Sequence, residues 1–264
     1  MGVLQNFVEQ VAAAARESSQ AEERSDQNQT VRLVKPLHKN SRLRLNRRTH
    51  YLQVALNRTL ADAARIISTL PISDRIILEA GTPLIKSEGM QAVRAISNWG
   101  SAHFGRPVYV VADLKTMDRG ATEVDLATDA GASGVVALGA APIETLNQFV
   151  ARCAERGVDS LLDMMNIEFP IEVLAQLKKR PDVVILHRGV DETAFNKEKP
   201  IPYAAIQRLK GTYNLLIAIA GGDSAREAQR AIFNGADVVI VWQSFYQAST
   251  DTATLAETFL KEVK

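Results

Sequence analysis

Eight short apolar runs recur between Tyr51 and the end of the chain, and this repetition restricts the fold more than any other feature of the sequence. The runs begin 23 to 33 residues apart, and stretches with helical spacing of apolar residues separate them. They predict strands over Tyr51–Leu56, Arg75–Glu79, Val108–Asp113, Gly134–Leu138, Ser160–Met164, Val183–His187, Leu215–Ala220 and Val238–Val241. Parallel strands covered on both faces have continuous apolar sequences, so eight such units predict an α/β fold, the (β/α)₈ TIM barrel.

The predicted barrel occupies residues 50–264, and residues 1–49 form an N-terminal helical and basic extension. The main alternative is a doubly wound open sheet, which would require a glycine-rich phosphate-binding turn after its first strand. The segment Leu56-Asn57-Arg58-Thr59 follows that strand and contains no glycine. The sequence therefore favours the barrel.

The extension has three segments of different character. A short helix is predicted from the spacing of Val3, Leu4, Phe7, Val8 and Val11, a polar linker from Ser18 to Thr30, and a basic arm without acidic residues from Arg32 to Arg48. The arm contains no aromatic residue for stacking on bases, which disfavours nucleic-acid binding. We expect it to pack against the barrel or a neighbouring subunit.

Composition excludes several classes of protein. The formal net charge of +1 provides no overall attraction to nucleic acid or an anionic membrane. Cys153 is the single cysteine, so an intramolecular disulfide and a multi-cysteine metal site are excluded, and its helical setting predicts a buried structural thiol. No run reaches the roughly 20 apolar residues of a membrane span, and no secretory signal is recognisable. These observations predict a cytoplasmic protein.

Polar residues stand where the apolar runs end. In a TIM barrel these strand ends and the loops after them carry the chemistry, so their side chains are expected to share the barrel mouth. The alternative is a set of salt bridges at the rim without a chemical role. The candidate residues are Asn57, Glu79, Asp113, Lys115, Asp163 and His187.

Asp113 and Lys115 are two residues apart at a strand end, so an extended backbone would point both side chains into the mouth. Their ion pair would keep Lys115 cationic and able to stabilise negative charge on a substrate oxygen. Glu79 and Asp113 offer oxygen ligands for a hard divalent cation, and Asp163 could join or orient that site. His187 is interpreted as a proton-transfer group, with a structural histidine as the alternative.

The last two strands end in a glycine pair and in a Trp-Gln pair, in the part of a barrel that commonly binds phosphate through backbone amides. Gly221 and Gly222 permit close approach of oxygen atoms, and Trp242 and Gln243 follow the eighth strand. A plain strand-to-helix turn is the alternative interpretation. The four residues are candidates for binding the phosphate of a substrate.

In the order and spacing of these strand-end residues, the sequence resembles the orotidine 5′-monophosphate decarboxylase superfamily. Within that superfamily it is most similar to the 3-hexulose-6-phosphate synthases and the 3-keto-L-gulonate-6-phosphate decarboxylases. The resemblance covers residue 51 to the end. It depends on LQVAL at 52–56, EAGTPLIKSEG at 79–89, ADLKTMD at 112–118, HRGVD at 187–191 and AGG at 220–222. The second and third segments are most similar to the synthases.

The resemblance implies a homodimer with shared active sites, in which Glu79 and Asp113 hold Mg²⁺ or Mn²⁺. It also implies that Lys115 stabilises an enediolate, His187 handles the proton, and Asp118 enters the site of the partner subunit. The implied reaction is the reversible condensation of formaldehyde with D-ribulose 5-phosphate to D-arabino-3-hexulose 6-phosphate. The resemblance places Asn57 among the residues that contact substrate.

The chain departs from the family pattern in three places. Asn57 stands where the family usually has Asp, Trp242-Gln243 replaces the usual Gly-Arg, and the extension has no counterpart in the minimal enzymes. Two other functions are therefore considered. One is decarboxylation of a sugar-phosphate β-keto acid, although those enzymes carry a second arginine where this chain has Val190. The other is a non-catalytic binding or scaffold subunit that acts through the basic arm.

Overall fold

A computed structural model describes residues 43–196, 201–247 and 252–263 of the chain. Its eight strands are all paired in parallel with their sequence neighbours, and pairing of the first with the last closes the barrel. The TIM barrel predicted from the sequence is confirmed. The first 42 residues lie outside the described residues, and with them the predicted short helix, the polar linker and most of the basic arm.

The strands are β1 Tyr51–Leu56, β2 Ile76–Ala80, β3 Val110–Thr116, β4 Gly134–Leu138, β5 Asp159–Asp163, β6 Val183–His187, β7 Leu216–Ala220 and β8 Val238–Val241. The helices are α1 Leu60–Thr69, α2 Thr82–Glu88, α3 Met90–Phe104, α4 Gly120–Asp129, α5 Ile143–Arg156, α6 Pro170–Gln176, α7 Val190–Phe195, α8 Tyr203–Thr212, α9 Ala225–Phe233, α10 Gln243–Gln247 and α11 Thr252–Glu262. Four predicted strands match these bounds. The predicted bounds of β2, β3, β5 and β7 are wrong by one to three residues at one end or both, because an apolar run does not mark where strand pairing begins and ends.

Alternation along each strand divides the apolar side chains into two cores. One core lies between the barrel and the helices, and the other fills the barrel interior with residues such as Val111, Leu161 and Ile185. Two residues after each of these, the same face carries Asp113, Asp163 and His187. The period of two therefore directs apolar side chains to the interior and polar ones to its C-terminal end.

Helix α5 illustrates how the outer layer forms. Leu146, Phe149, Val150 and Cys153 recur at helical spacing and are all buried. The helix ends at Gly157, whose φ of 70° suits a residue without a side chain. The buried thiol predicted for Cys153 is confirmed, and burial raises its pKa far above the usual range. Within the described residues, no helix has the length and apolarity of a membrane span.

The N-terminal end of the barrel is covered by the last residues of the basic arm. Leu43 and Leu45 pack against the interior core, and Arg44 pairs with Asp159 at 2.7 Å and Asp182 at 2.6 Å. The N–H of Leu45 also donates to Asp159 Oδ2 at 2.9 Å. For the described part of the arm, the expected packing against the barrel is confirmed.

Candidate functional site

The mouth at the C-terminal ends of the strands contains a cavity of about 560 Å³, large enough for a small phosphorylated metabolite. Most of its wall is apolar, and the ionisable groups collect at its floor. The residues lining it include Asn57, Glu79, Asp113, Lys115, Asp163, His187, Gly221, Gly222, Trp242 and Gln243. Every site residue predicted from the sequence except Asp118 therefore lies at one cavity.

Lys115 connects two buried carboxylates at the floor of the cavity. Its Nζ lies 2.9 Å from Asp113 Oδ2 and 2.9 Å from Asp163 Oδ2. Burial alone would lower the pKa of Lys115, but the charges of the two aspartates outweigh burial and raise it well above the usual range. Lys115 is therefore a fixed cation at the floor of the cavity.

The backbone at Lys115 differs from the extended conformation that the sequence suggested. Its φ is 47°, in the left-handed region, and the pairing register of β3 with β4 shifts between Ala112 and Thr116. Irregular strand ends of this kind redirect side chains and are frequent beside active sites. The predicted ion pair of Lys115 with Asp113 forms, but the bulge also allows contact with Asp163.

Asp163 holds His187 in a defined orientation. The Nδ1 of His187 lies 2.8 Å from Asp163 Oδ2, and the N–H of Met165 donates to the other carboxylate oxygen at 2.9 Å. Burial opposes ionisation of Asp163, but the bond to His187 and the nearby cations lower its pKa to about 2. Because an ionised carboxylate only accepts hydrogen bonds, Nδ1 carries the proton, and a neutral ring has its basic lone pair on Nε2.

Glu79 lies on β2, which pairs with the strand that carries Asp113, and is 6% exposed. Gln53 Nε2 donates to its Oε2. Burial, reinforced by the charge of Asp113, raises the pKa of Glu79 to about 7. The site thus contains an acidic group whose charge is poorly compensated by the protein.

Glu79 and Asp113, the predicted metal ligands, meet the chemical requirements of a magnesium site. Glu79 and Asp113 supply carboxylate oxygens, which magnesium prefers, and a cation would relieve the repulsion between them. No three His, Cys, Asp or Glu side chains in the described parts of the chain converge on a possible ion position. Magnesium commonly takes one or two protein carboxylates and completes its shell with water and substrate oxygens, so the residues fit this mode of binding.

Asn57 reaches the cavity because of a glycine in the adjacent loop. A Cβ atom at Gly81 would lie only 1.8 Å from Asn57 Oδ1. The backbone N–H of Asn57 donates to Tyr246 Oη at 3.0 Å. Gly81 and Tyr246 thus fix a neutral amide where the family pattern has an acid.

The β7 and β8 loops meet at the part of the cavity wall that adjoins β1. Gly221 has a φ of 99°, and the side chain of Asp223 accepts hydrogen bonds from the N–H groups of Trp242 and Gln243 at 3.1 and 2.7 Å. The candidate phosphate-binding residues are therefore together, but two of their backbone donors already bind a carboxylate.

Asp118 is exposed, and its Oδ1 accepts the N–H of Arg119 at 2.7 Å. It does not line the cavity of its own chain. Its predicted role in a partner subunit stays a prediction.

Sequence reasoning did not assign roles to several residues at the site. Gln53 is a polar residue inside an apolar run, which is a usable signal for an inward-facing functional contact. Thr82 follows β2, and its Oγ1 lies 2.8 Å from Asp113 Oδ2. Asp223 directly follows the glycine pair, but nothing in the sequence indicated which groups its carboxylate would bind.

Residues 50–258 match the family described as Orotidine 5′-phosphate decarboxylase / HUMPS family. The crystal structure of 3-hexulose-6-phosphate synthase from Salmonella typhimurium is 30% identical in sequence, with a TM-score of 0.71 over 81% of this chain and 98% of that one. The structure of 3-keto-L-gulonate-6-phosphate decarboxylase from Vibrio cholerae has a TM-score of 0.67 at 21% identity, covers 81% of this chain and 97% of that one, and shows a shared fold.

Among curated proteins, the bifunctional enzyme Fae/Hps of Methanothrix thermoacetophila is 40% identical over 220 residues. The match covers 81% of this chain and 53% of that relative. The chain thus spans about half the length of the curated relatives that it matches.

Proposed function

We propose that this chain, which belongs to the orotidine 5′-phosphate decarboxylase / HUMPS family of enzymes, is a hexulose-6-phosphate synthase-like aldehyde-lyase. The reaction condenses formaldehyde with D-ribulose 5-phosphate to D-arabino-3-hexulose 6-phosphate and is reversible. The observation that supports this proposal best is the continuous contact of Asp113, Lys115, Asp163 and His187 at the floor of one cavity. That arrangement combines a fixed cation with an oriented base, as proton removal beside a carbonyl requires.

The first step removes a proton from C1 of the pentulose, beside its C2 carbonyl. His187 is the proposed base, because Asp163 holds Nδ1–H and leaves the lone pair on Nε2. The electron pair of the broken C–H bond moves toward the carbonyl oxygen, which gives an enediolate.

Lys115 stabilises the negative charge that develops on that oxygen. Its ammonium has three N–H donors, and two are directed to Asp113 and Asp163. We assign the third to the substrate oxygen. The two carboxylates keep the ammonium charged and in place, so little reorganisation is required during the reaction.

The second step forms the new carbon–carbon bond. C1 of the enediolate attacks the carbon of formaldehyde, the C2 carbonyl re-forms, and the formaldehyde oxygen receives the electron pair. The proton held on Nε2 of His187 then neutralises this oxygen, so the base returns to its starting state. Asp163 stays ionised throughout, consistent with its pKa of about 2.

Glu79 and Asp113 are the proposed ligands of Mg²⁺ or Mn²⁺. A bound divalent cation would polarise the substrate carbonyl and share in stabilising the enediolate charge. Burial and the charge of Asp113 raise the pKa of Glu79 to about 7, and binding a cation would shift Glu79 back toward its ionised form.

The sugar-phosphate chain would extend across the cavity from this floor. We place its phosphate toward Gly221, Gly222, Trp242 and Gln243, and assign Asn57 to a sugar hydroxyl. Asn57 can donate and accept a hydrogen bond, whereas the usual Asp would only accept.

We further propose a homodimer in which Asp118 serves the site of the partner subunit. Asp118 is exposed outside its own cavity, and the adjacent Met117 is a large apolar side chain that is 45% exposed. Mixing Lys115→Ala and Asp118→Ala proteins after subunit exchange should restore about a quarter of the sites, since half of the dimers would be mixed and each would carry one intact site. No recovery from two separately inactive, dimeric variants would contradict shared sites.

The activity is tested directly with ribulose 5-phosphate, formaldehyde and Mg²⁺. Formaldehyde should be consumed, and consumption should stop when the metal is chelated. Equal consumption by the wild-type chain and Lys115→Ala would exclude the proposed reaction.

Decarboxylation of a sugar-phosphate β-keto acid is the second candidate, supported by Arg188, which follows His187 and lines the cavity. Release of CO₂ from 3-keto-L-gulonate 6-phosphate faster than formaldehyde is consumed would favour it. Binding of a phosphate ester without turnover of either substrate would favour the scaffold function.

A further inference from the structure

The β7 and β8 loops are joined by the side chain of Asp223. Its Oδ1 accepts the N–H of Trp242 at 3.1 Å, and its Oδ2 accepts the N–H of Gln243 at 2.7 Å. The hydroxyl of Ser244 donates to the backbone carbonyl of Asp223. A carboxylate of the chain itself thus binds two adjacent backbone donors at the cavity wall.

These two N–H groups are donors that an anionic ligand at this wall would need. Carboxylate and phosphate oxygens compete for such donors because both accept charge-assisted hydrogen bonds. Two backbone donors in the loops after β6 and β7 are also occupied: Glu192 accepts the N–H of Gly189 at 2.9 Å, and Glu227 accepts the N–H of Asp223 at 3.0 Å. Acidic side chains therefore occupy backbone donors in three successive loops.

The charge of Asp223 depends on the two donors. Burial raises the pKa of Asp223, and the hydrogen bonds from Trp242 and Gln243 oppose that effect. If a phosphate took these donors, the Asp223 carboxylate would lose its partners and lie next to a second anion. Both consequences are unfavourable.

We propose that Asp223 is a specificity-determining residue whose carboxylate competes with the phosphate group of the substrate for the N–H groups of Trp242 and Gln243. The chain therefore binds phosphate monoesters more weakly than its backbone donors would allow, and the two donors become available only when the carboxylate moves. This inference rests on the proposed function for the identity of the anion, since the phosphate belongs to its pentulose substrate.

The test measures binding of inorganic phosphate and of ribulose 5-phosphate to the full chain by isothermal titration calorimetry, without formaldehyde. Asp223→Ala frees both donors, and Asp223→Asn removes the charge while keeping the shape. We expect both variants to bind both anions roughly tenfold more tightly than wild type, or more, since charge-assisted bonds replace repulsion. Binding of unphosphorylated D-ribulose should change little.

Glu227→Gln is the matched control, because Glu227 carries the same charge in the first turn of α9, next to Asp223, but does not contact the Trp242 or Gln243 donors. Because Glu227 occupies a single backbone donor, that of Asp223, its replacement should tighten phosphate binding much less than the Asp223 variants do. If Asp223 only braces the two loops, Asp223→Asn and Asp223→Ala will lower the melting temperature without tightening phosphate binding, and the proposal is then wrong.

Kinetics separate this proposal from the proposed function. If formaldehyde is consumed, Asp223→Asn should lower KM for ribulose 5-phosphate and leave kcat nearly unchanged, whereas a damaged loop would lower kcat. If no variant consumes formaldehyde, the proposed function fails, but calorimetry with inorganic phosphate still decides the role of Asp223.

Discussion

Strand β5 carries a buried aspartate at each end, and the pKa values of the two carboxylates are shifted in opposite directions. Asp163 at the mouth contacts Lys115 and His187, and its pKa is lowered to about 2. Asp159 at the opposite end contacts Tyr109 and Arg44, and burial raises its pKa despite these partners. The same residue type four positions apart thus orients Lys115 and His187 at one end and binds the arm residues Arg44 and Leu45 at the other.

Two lysines that pair with aspartates also differ in their position along the barrel. Lys115 pairs with Asp113 and Asp163 at the mouth, and Lys210 pairs with Asp237 at 2.7 Å near the start of β8. Only the first pair borders the cavity at the mouth. An ion pair is therefore not in itself a sign of function, and its position along the strand decides what it can do.

Replacing the lysine at the mouth should have the largest effect. Lys115→Met removes the cation that we propose stabilises the enediolate, so the rate of formaldehyde consumption should fall by about 10²- to 10³-fold. Lys210→Met is the control and should keep the wild-type rate. Equal losses in the two variants would show that general destabilisation explains the effect.

Replacing Asp163 should have the next largest effect. Asp163→Asn keeps the volume but removes the charge that orients Lys115 and His187, so kcat should fall by about 10²-fold. Asp159→Asn, at the other end of β5, should leave kcat unchanged. A normal kcat in Asp163→Asn would contradict the positioning role.

The two aspartates should also affect acid stability in opposite directions. The folded pKa of Asp163 is about 2, below its ordinary value of 3.8, so its stabilising contribution is complete above about pH 4 and is lost as the pH falls through 2. Asp159 has a raised pKa, so its contribution is present below 3.8 and is lost as the pH rises through its folded value.

Urea unfolding across this acid range measures both contributions. Asp163→Asn should remove a component of stability that rises with pH, and Asp159→Asn a component that falls with pH. If both substitutions changed the slope of unfolding free energy against pH in the same direction, the opposite pKa shifts of Asp163 and Asp159 would be contradicted.

The smallest effect on stability is expected at the N-terminal end of the barrel, which the arm covers. Arg44→Ala removes ion pairs to Asp159 and Asp182 and a hydrogen bond to the carbonyl of Val158, but Arg44 is 43% exposed. The free energy of unfolding should fall by about 1 kcal/mol without a change in kcat. A change in kcat with unaltered stability would contradict a purely structural role for this end.

Much of the fold could be predicted because it follows from local periodicity. The eight apolar runs specified parallel strands, and the position of a polar residue at the end of a run placed Glu79, Asp113, Asp163 and His187 at the mouth. The bulge at Lys115 could not be predicted, because its left-handed backbone depends on how β3 fits against β4 in the closed barrel.

Contacts at the N-terminal end of the barrel could not be predicted from the sequence either. Asp159 precedes an apolar run and gave no signal in the sequence, although it is 3% exposed. Its partner Arg44 lies more than a hundred residues earlier in the basic arm. The alternation of basic residues and leucines indicated that the arm would pack against another surface. Only the folded barrel, which brings Asp159 and Asp182 together at its N-terminal end, decided which surface this is.

By itself, the sequence determined the strand order, the inward face of each strand and the identity of the groups at the mouth, because side-chain direction alternates with a period of two. The sequence also predicted the ion pair of Lys115 with Asp113, but only the tertiary structure decided the other contacts: Lys115 with Asp163, His187 with Asp163, and Asp223 with the donors of Trp242 and Gln243. The physical reason is that hydrogen bonds and ion pairs require atoms to lie within about 3 Å. Strand register, bulges and loop geometry set such distances, and residue spacing along the chain does not.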